Sequence, residues 1–315
     1  MTAAFNSLLR PAVLIQGLFV AFLLWTTTST AEQESTPRKS VTFEEEMDAQ
    51  RALFSTAPAV LSEVARLREH MPKRSTGAAK YKRSGHEYTT YIVATLAGLD
   101  PERAHILSYF SQYPDDEIRF SATMAFFYLW DLEYRKQIMA VLHSLHGGDR
   151  KAVTQRRMAL RNLLAENIRN GKLSDPELGL IIHAFADSYA HVNSDNLQAF
   201  DYAFGHLFHG DSPDIISHDQ SRYEEYACKL FNALSERPNL DCAASLKQLF
   251  NLISSLSASG DDELPEFKTY AKQLGFNALL YDNLGQRFDN ESGKKHVLHA
   301  IHAIENAIDL TPIED

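Results

Sequence analysis

The sequence predicts an all-α protein: a multi-helix single domain with a metal site between its helices, preceded by a signal peptide. Two observations predict the class. No segment sustains the period-2 alternation of β-branched residues that a half-buried strand needs, and no Asn-Gly or Asp-Gly hairpin turn joins two such runs. Helix start and stop signals (Asp-Pro, Gly, Pro) instead punctuate apolar segments along most of the chain. A third observation predicts the metal site. In the stretch LGLIIHAFADSYAH (178–191), His183, Asp187 and His191 stand at i, i+4 and i+8, within an arc of about 80° on one helix face. The residues around them are too apolar for a solvated face, so three donors of two types line an interior stripe.

The N-terminus reads as a targeting segment. Arg10 precedes the apolar run PAVLIQGLFVAFLLW, and a small-residue tract ends with Ser29 and Ala31 at the −3 and −1 positions of a cleavage site. The run is short for a membrane span. Residues 1–31 are therefore expected to be removed, leaving a mature chain that begins near Glu32 in an extracytoplasmic space, periplasmic or secreted. Residues 32–42 are polar and form a flexible lead; residues 43–311 form the helical domain.

With 315 residues, 44% of them hydrophobic, the chain can bury a sizeable core. Its net charge of −10 argues against a stable nucleic-acid complex. It leaves room for an enzyme acting on a phosphodiester, because bound metal ions supply positive charge locally.

Within the domain, Phe43–Met71 is helix-like with a break at Pro58. Residues 71–85 are basic and small and read as a solvated loop. His86 opens a helix that ends at Gly98, and Asp100-Pro101 starts the next. Tyr113-Pro114 is expected to stop that helix near Gln112, with Asp115 and Asp116 just beyond its end. Residues 118–146 are apolar and aromatic and read as one or two core helices; Lys151–Asn170 reads as an amphipathic one. Asp175, as N-cap, and Pro176 open the central helix, in which no Gly or Pro falls from Leu180 to Asn193. After it, His206 and Asp214 flank a Gly/Pro loop that lets the chain fold back. His218-Asp219 offers an alternative core for an HD-type phosphohydrolase, without ordered support elsewhere. Four more helices are expected at 242–256, 264–274, 276–287 and 294–310. The last carries His296, His299 and His302 at i, i+3 and i+6, which looks like a metal stripe, but only Glu305 joins it as a carboxylate and it is not taken as a ligand set. Cys228 and Cys242 lie at the end of one helix and the start of the next, where they form either a disulfide or two core thiols.

Four segments, GHEYTTYIVATLAGL (85–99), AHILSYFSQYPDD (104–116), LGLIIHAFADSYAH (178–191) and GHLFHGDSPD (205–214), resemble a family of uncharacterised bacterial proteins. That family is related in turn to the zinc-dependent phospholipase C and P1 nuclease superfamily. The resemblance implies an all-helical metal site built from His86, Asp115 or Asp116, His183, Asp187, His191, His206 and Asp214. The chain departs from the wider superfamily in two places. No Trp stands near the expected mature start, and His206 is followed by Gly210 where a Glu ends the superfamily's ligand set.

Such a donor set suits Zn²⁺, two or three ions, although other divalent metals fit the same ligand types. Paired ions would activate a water for in-line attack at phosphorus, and whichever of Asp115 and Asp116 is not a ligand would orient it or take its proton. The expected activity is metal-dependent hydrolysis of a phosphoester or phosphodiester, in a phospholipid or a nucleotide, with peripheral membrane contact compatible with a lipid substrate. The alternative is a non-catalytic metal-binding extracytoplasmic protein on the same scaffold.

Overall fold

The structure is a computed structural model that describes residues 83–117, 119–122, 132–193, 198–200, 216–235, 240–259, 262–288 and 290–311. The expected signal peptide, flexible lead and first helix, and the candidate donors His206 and Asp214, lie outside the described residues. Among the described residues the chain forms eleven α-helices and no strand; its extended pairings are two isolated bridges, Asp149 with Gln198 and Val192 with Ala199.

A π-helical turn, Ser84–Tyr88, runs directly into α1 (Thr89–Leu96). The chain reverses at Gly98, whose φ of +93° is open to glycine at no steric cost. Helix α2 (Pro101–Asp116) begins with Asp100 accepting from the Glu102 and Arg103 amides. It does not stop at Tyr113. Pro114 sits inside its last turn, and Glu117 N–H still reaches Tyr113 O at 2.9 Å. A proline this close to a helix end removes one hydrogen bond without breaking the turn. Asp115 and Asp116 therefore lie on the helix, about 100° apart, instead of beyond it.

Helix α3 (Leu132–Lys136) continues as a second π-helical segment, Gln137–Leu142. Asp149 caps α4 (Arg150–Asn170), which closes on Gly171 in the left-handed conformation. Helix α5 (Asp175–Ala190) carries the central stretch. Its N-cap is Ser174, not Asp175: Ser174 N–H donates to the Glu177 carboxylate at 2.8 Å. Asp175 instead accepts from Arg103 Nε at 2.7 Å. The helix ends at Ala190, short of Asn193, because His191 leaves helical geometry at ψ 46°.

After α5 come a 3₁₀ turn (Ile216–Asp219), α6 (Gln220–Leu234), α7 (Cys242–Ser245), α8 (Lys247–Ser259), α9 (Glu263–Gln273), α10 (Ala278–Arg287) and α11 (Asn290–Leu310). Cys228 on α6 and Cys242 at the start of α7 are joined by a disulfide that closes a sequence separation of 14. No helix among the described residues is long and apolar enough to cross a membrane.

Every residue of α5 from Pro176 to Ala190 is buried. A helix covered on all sides needs neighbours on all sides, and α2, α4, α6, α11 and both π-helical segments pack against it. The contact with α2 is the most extensive. Gly179 makes it possible: a Cβ there would stand 2.5 Å from Phe110 Cβ and 2.8 Å from the Leu107 carbonyl oxygen. One turn further along α5 this close approach delivers His183.

Candidate metal centre

The α5 stripe projects into the space enclosed by α2 and the two π-helical segments. His183 and Asp187 are 0% and 1% exposed, so nothing about them is solvated in the ordinary sense. Each π-helical segment adds a histidine. His86 lies within Ser84–Tyr88, and His143 caps Gln137–Leu142. A π-turn re-aims side chains relative to an α-helix and recurs at functional sites. Here both such segments supply the same cluster.

The hydrogen bonds fix which nitrogen of each ring faces inward. His183 Nδ1 is 2.8 Å from the Ser111 carbonyl oxygen, and His143 Nε2 is 2.8 Å from the Phe120 carbonyl oxygen. Carbonyls only accept, so those nitrogens carry the hydrogens, and in the neutral rings the opposite ones carry lone pairs. His183 Nε2 and His143 Nδ1 then face each other at 3.0 Å. Asp187 Oδ2 completes the triangle, 3.2 Å from the first and 3.1 Å from the second. With both rings neutral these are three acceptors in mutual contact, which repel one another unless a proton or a metal ion sits among them. Tetrahedral coordination with bonds of about 2.0–2.1 Å has ligand–ligand edges of roughly 3.3 Å. The observed edges fit that face with a small outward relaxation. Backbone carbonyls on the distal ring nitrogens are the usual outer support of histidine ligands.

A second set adjoins the first. His86 Nε2 lies 3.1 Å from Asp187 Oδ1 and 3.8 Å from Asp115 Oδ2. Asp187 Oδ1 is buried against that nitrogen. The rings of His86 and His183 stack with centroids 4.3 Å apart. Beside that triangle, two more trios among the described residues have donor atoms close enough to hold an ion, His86–His183–Asp187 and Asp115–His143–His183.

Charge follows the same logic. Burial lowers the pKa of His86 and of His143, and the neighbouring His183 adds to the effect in both. Burial acts on His183 in the same direction, but the Asp187 and Asp115 carboxylates outweigh it and its pKa is raised. Burial would raise the Asp187 carboxyl; the His191 and His183 rings and the close approach of His143 hold it well below the usual range. A proton shared within this cluster is the single-charge counterpart of a divalent ion.

The remaining candidates divide. His191, at the C-cap of α5, turns its Nδ1 to the His143 carbonyl oxygen at 2.6 Å, with Asp187 Oδ2 at 3.7 Å. It therefore braces the segment that carries His143. Asp115 enters the cluster, whereas Asp116 points outward and accepts from Arg83 at 2.5 Å and from Gln112 at 3.3 Å. His218 is exposed, and Asp219 caps α6 and pairs with Arg222 at 2.7 Å, so the HD pair takes no part. On α11, His296 and His299 contact the Glu177 carboxylate at 3.4 and 3.0 Å, and His302 is 81% exposed. His143 is the donor that motif reading missed. It follows a long apolar segment without a carboxylate at helical spacing, and its only signal is the close repeat of His143 and His146 before Gly147-Gly148.

Residues 82–199 match a family of unknown function (DUF6765). The matched segment carries all six donors and supports described above, from His86 to His191, and stops short of His206 and Asp214. No curated protein and no solved structure matches the chain.

Proposed function

We propose that this chain is a metal-dependent hydrolase of phosphoester or phosphodiester bonds, exported to an extracytoplasmic compartment. The observation that carries the reading is the triangle of His143 Nδ1, His183 Nε2 and Asp187 Oδ2, three buried polar atoms at 3.0–3.2 Å, each ring held by a backbone carbonyl on its other nitrogen. Imidazole and carboxylate donors of this kind suit Zn²⁺. Asp187 turns one oxygen to His86 and the other to His143 and His183, so each oxygen would be available as a ligand beside a different histidine. When bound, such ions supply Lewis acidity and an activated water at neutral pH. The chain's own groups do the rest. The Ser111 and Phe120 carbonyls hold the His183 and His143 tautomers. Asp115, buried against His86, would offer one oxygen as a ligand and leave the other to orient a nucleophilic water or accept its proton. Arg83 and Gln112 hold Asp116 away from that role.

The phosphoester substrate class follows from the superfamily resemblance, with a small-molecule or lipid phosphoester favoured over a nucleic-acid chain by the net charge of −10. Export is supported by the apolar N-terminal run and by the Cys228–Cys242 disulfide, a bond that persists in oxidising compartments. One observation favours the non-catalytic reading: His86, His183 and Asp187 are no more than 1% exposed, and a substrate must reach them. The test is elemental analysis of the purified chain together with turnover of bis(p-nitrophenyl) phosphate and of phosphatidylcholine vesicles. Metal with chelator-sensitive turnover is the expected result. Stoichiometric metal with no turnover of any phosphoester selects the metal-binding protein instead.

A further inference from the structure

A second charged group is buried away from the donor cluster. Arg156, on α4, is 7% exposed, yet it pairs with no carboxylate among the described residues. Its one hydrogen bond runs from Nη1 to the Val141 carbonyl oxygen at 3.2 Å. A guanidinium has five N–H donors. Burial lowers its pKa to about 10, which still leaves it charged at neutral pH. An unpaired buried cation is among the most destabilising features a fold can carry, and burial this deep ordinarily comes with a counter-charge.

A second donor stands beside it. His146 Nδ1 accepts the Gly148 N–H at 3.1 Å, so in the neutral ring Nε2 carries the hydrogen. Burial and the Arg156 charge push the His146 pKa down to about 3, so the ring stays a neutral donor. Its place beside α4 is fixed by Gly148. A Cβ there would stand 2.7 Å from the His146 ring and 2.6 Å from Ala152 Cβ. Ala152 and Arg156 are four residues apart on α4, and the Arg156 charge acts on the His146 ring from the adjoining loop, so the two side chains are neighbours.

We propose that Arg156 and His146 anchor an oxyanion-binding site, distinct from the metal centre, that takes a phosphate group. The planar fork of the guanidinium matches two oxygens of an oxyanion, and the imidazole N–H of the adjoining loop adds a third donor, which the third oxygen of a tetrahedral phosphate can accept. The anion supplies the charge that the described residues withhold. Val141, whose carbonyl holds the guanidinium, is two residues before His143. A phosphate at Arg156 is thus tied to the segment that carries a metal donor, although the site stands without the metal reading.

The experiment is thermal unfolding of the full chain as purified, titrated with inorganic phosphate against sodium chloride of equal ionic strength. Phosphate is expected to raise the wild-type Tm by about 5–10 °C at one hundred times Kd. Arg156→Met is expected to lose that response, keep its metal content, and unfold at or above the wild-type temperature in chloride, because a buried unpaired charge has been replaced by an apolar side chain. Arg156→Lys keeps the charge without the fork and should weaken phosphate at least tenfold, which provides the test if the Met variant does not fold. Glycerol phosphate in parallel tells an esterified phosphoryl group from the free ion by which of the two raises the wild-type Tm at lower concentration. An equal phosphate response in wild type and Arg156→Met places the anion elsewhere and overturns the proposal. So does a metal-loaded wild type that ignores both phosphates, and that outcome leaves the metal centre intact.

Discussion

Substituting Gly179 by alanine tests how the fold positions the site. On an exposed helix the change would stabilise by about 1 kcal/mol, because alanine is the better helix former. Here the added methyl meets Phe110 Cβ at 2.5 Å and the Leu107 carbonyl oxygen at 2.8 Å, about 1 Å inside ordinary contact. Neither atom can swing away, since one is backbone and the other is attached directly to it. Overpacking of this kind costs about 1–3 kcal/mol, and the upper half of that range applies when backbone must move. If α2 and α5 separate by even part of an ångström, the 2.8 Å bond from His183 Nδ1 to Ser111 O lengthens too, at about another 1 kcal/mol. The net expectation is a destabilisation of about 2 kcal/mol, or a Tm lower by about 4–8 °C for a unit of this size. Circular dichroism at 222 nm, recorded with metal and with chelator, reads both consequences. The metal-loaded Tm should fall, and the gap between loaded and chelated forms should narrow because His183 has lost its brace. An unchanged or raised Tm would refute the argument from close approach.

Other outcomes follow from the same geometry. His143→Ala should reduce metal content at least as strongly as His183→Ala, whereas His299→Ala should leave it at the wild-type level, measured by mass spectrometry of the dialysed proteins. Glu177 is held below its ordinary pKa of 4.5: burial pushes it up, but the Ser174 backbone hydrogen bond and the His299 and His296 contacts outweigh that. A depressed folded pKa contributes stability that is present above the unfolded value and lost as pH falls through the folded one. Glu177→Gln should therefore unfold earlier than wild type at pH 7 in chelator, with a difference that closes below pH 4.5; a difference independent of pH would contradict this. Reducing Cys228–Cys242 opens a short loop and should destabilise by about 3 kcal/mol in the chain-entropy account, read as a drop in denaturation midpoint that Cys228→Ser/Cys242→Ser reproduces.

Much of this architecture is legible in residue order, because helices are local. The boundaries of α4 and the C-terminal end of α11 fall where Gly, Asp and apolar spacing put them. The errors are local competitions that one sequence does not decide. Pro114 reads as a stop, yet within the last turn of a packed helix it removes only one bond, and that places Asp115 inward and Asp116 outward. Asp175 and Ser174 are both good caps, and Arg103 seventy-two positions away decides between them. The α5 stripe was readable because periodicity alone puts His183 and Asp187 on one face. His143 was not, because its place depends on a π-helical segment and on the Phe120 carbonyl, neither of which leaves a pattern in the sequence.

The central claim is that buried acceptors converge because they hold a divalent cation, and Asp187 is where they converge. Its Oδ1 lies 3.1 Å from His86 Nε2, and its Oδ2 lies 3.1 Å from His143 Nδ1 and 3.2 Å from His183 Nε2. Inductively coupled plasma mass spectrometry of the wild-type chain and of Asp187→Ala, purified side by side without chelator, measures this directly. The account predicts at least one equivalent of a divalent transition metal, zinc foremost, in the wild type, and its loss together with a lower Tm in the variant. A wild-type chain that carries no metal and takes none up from micromolar Zn²⁺, or an Asp187→Ala chain that keeps its full complement, would contradict it.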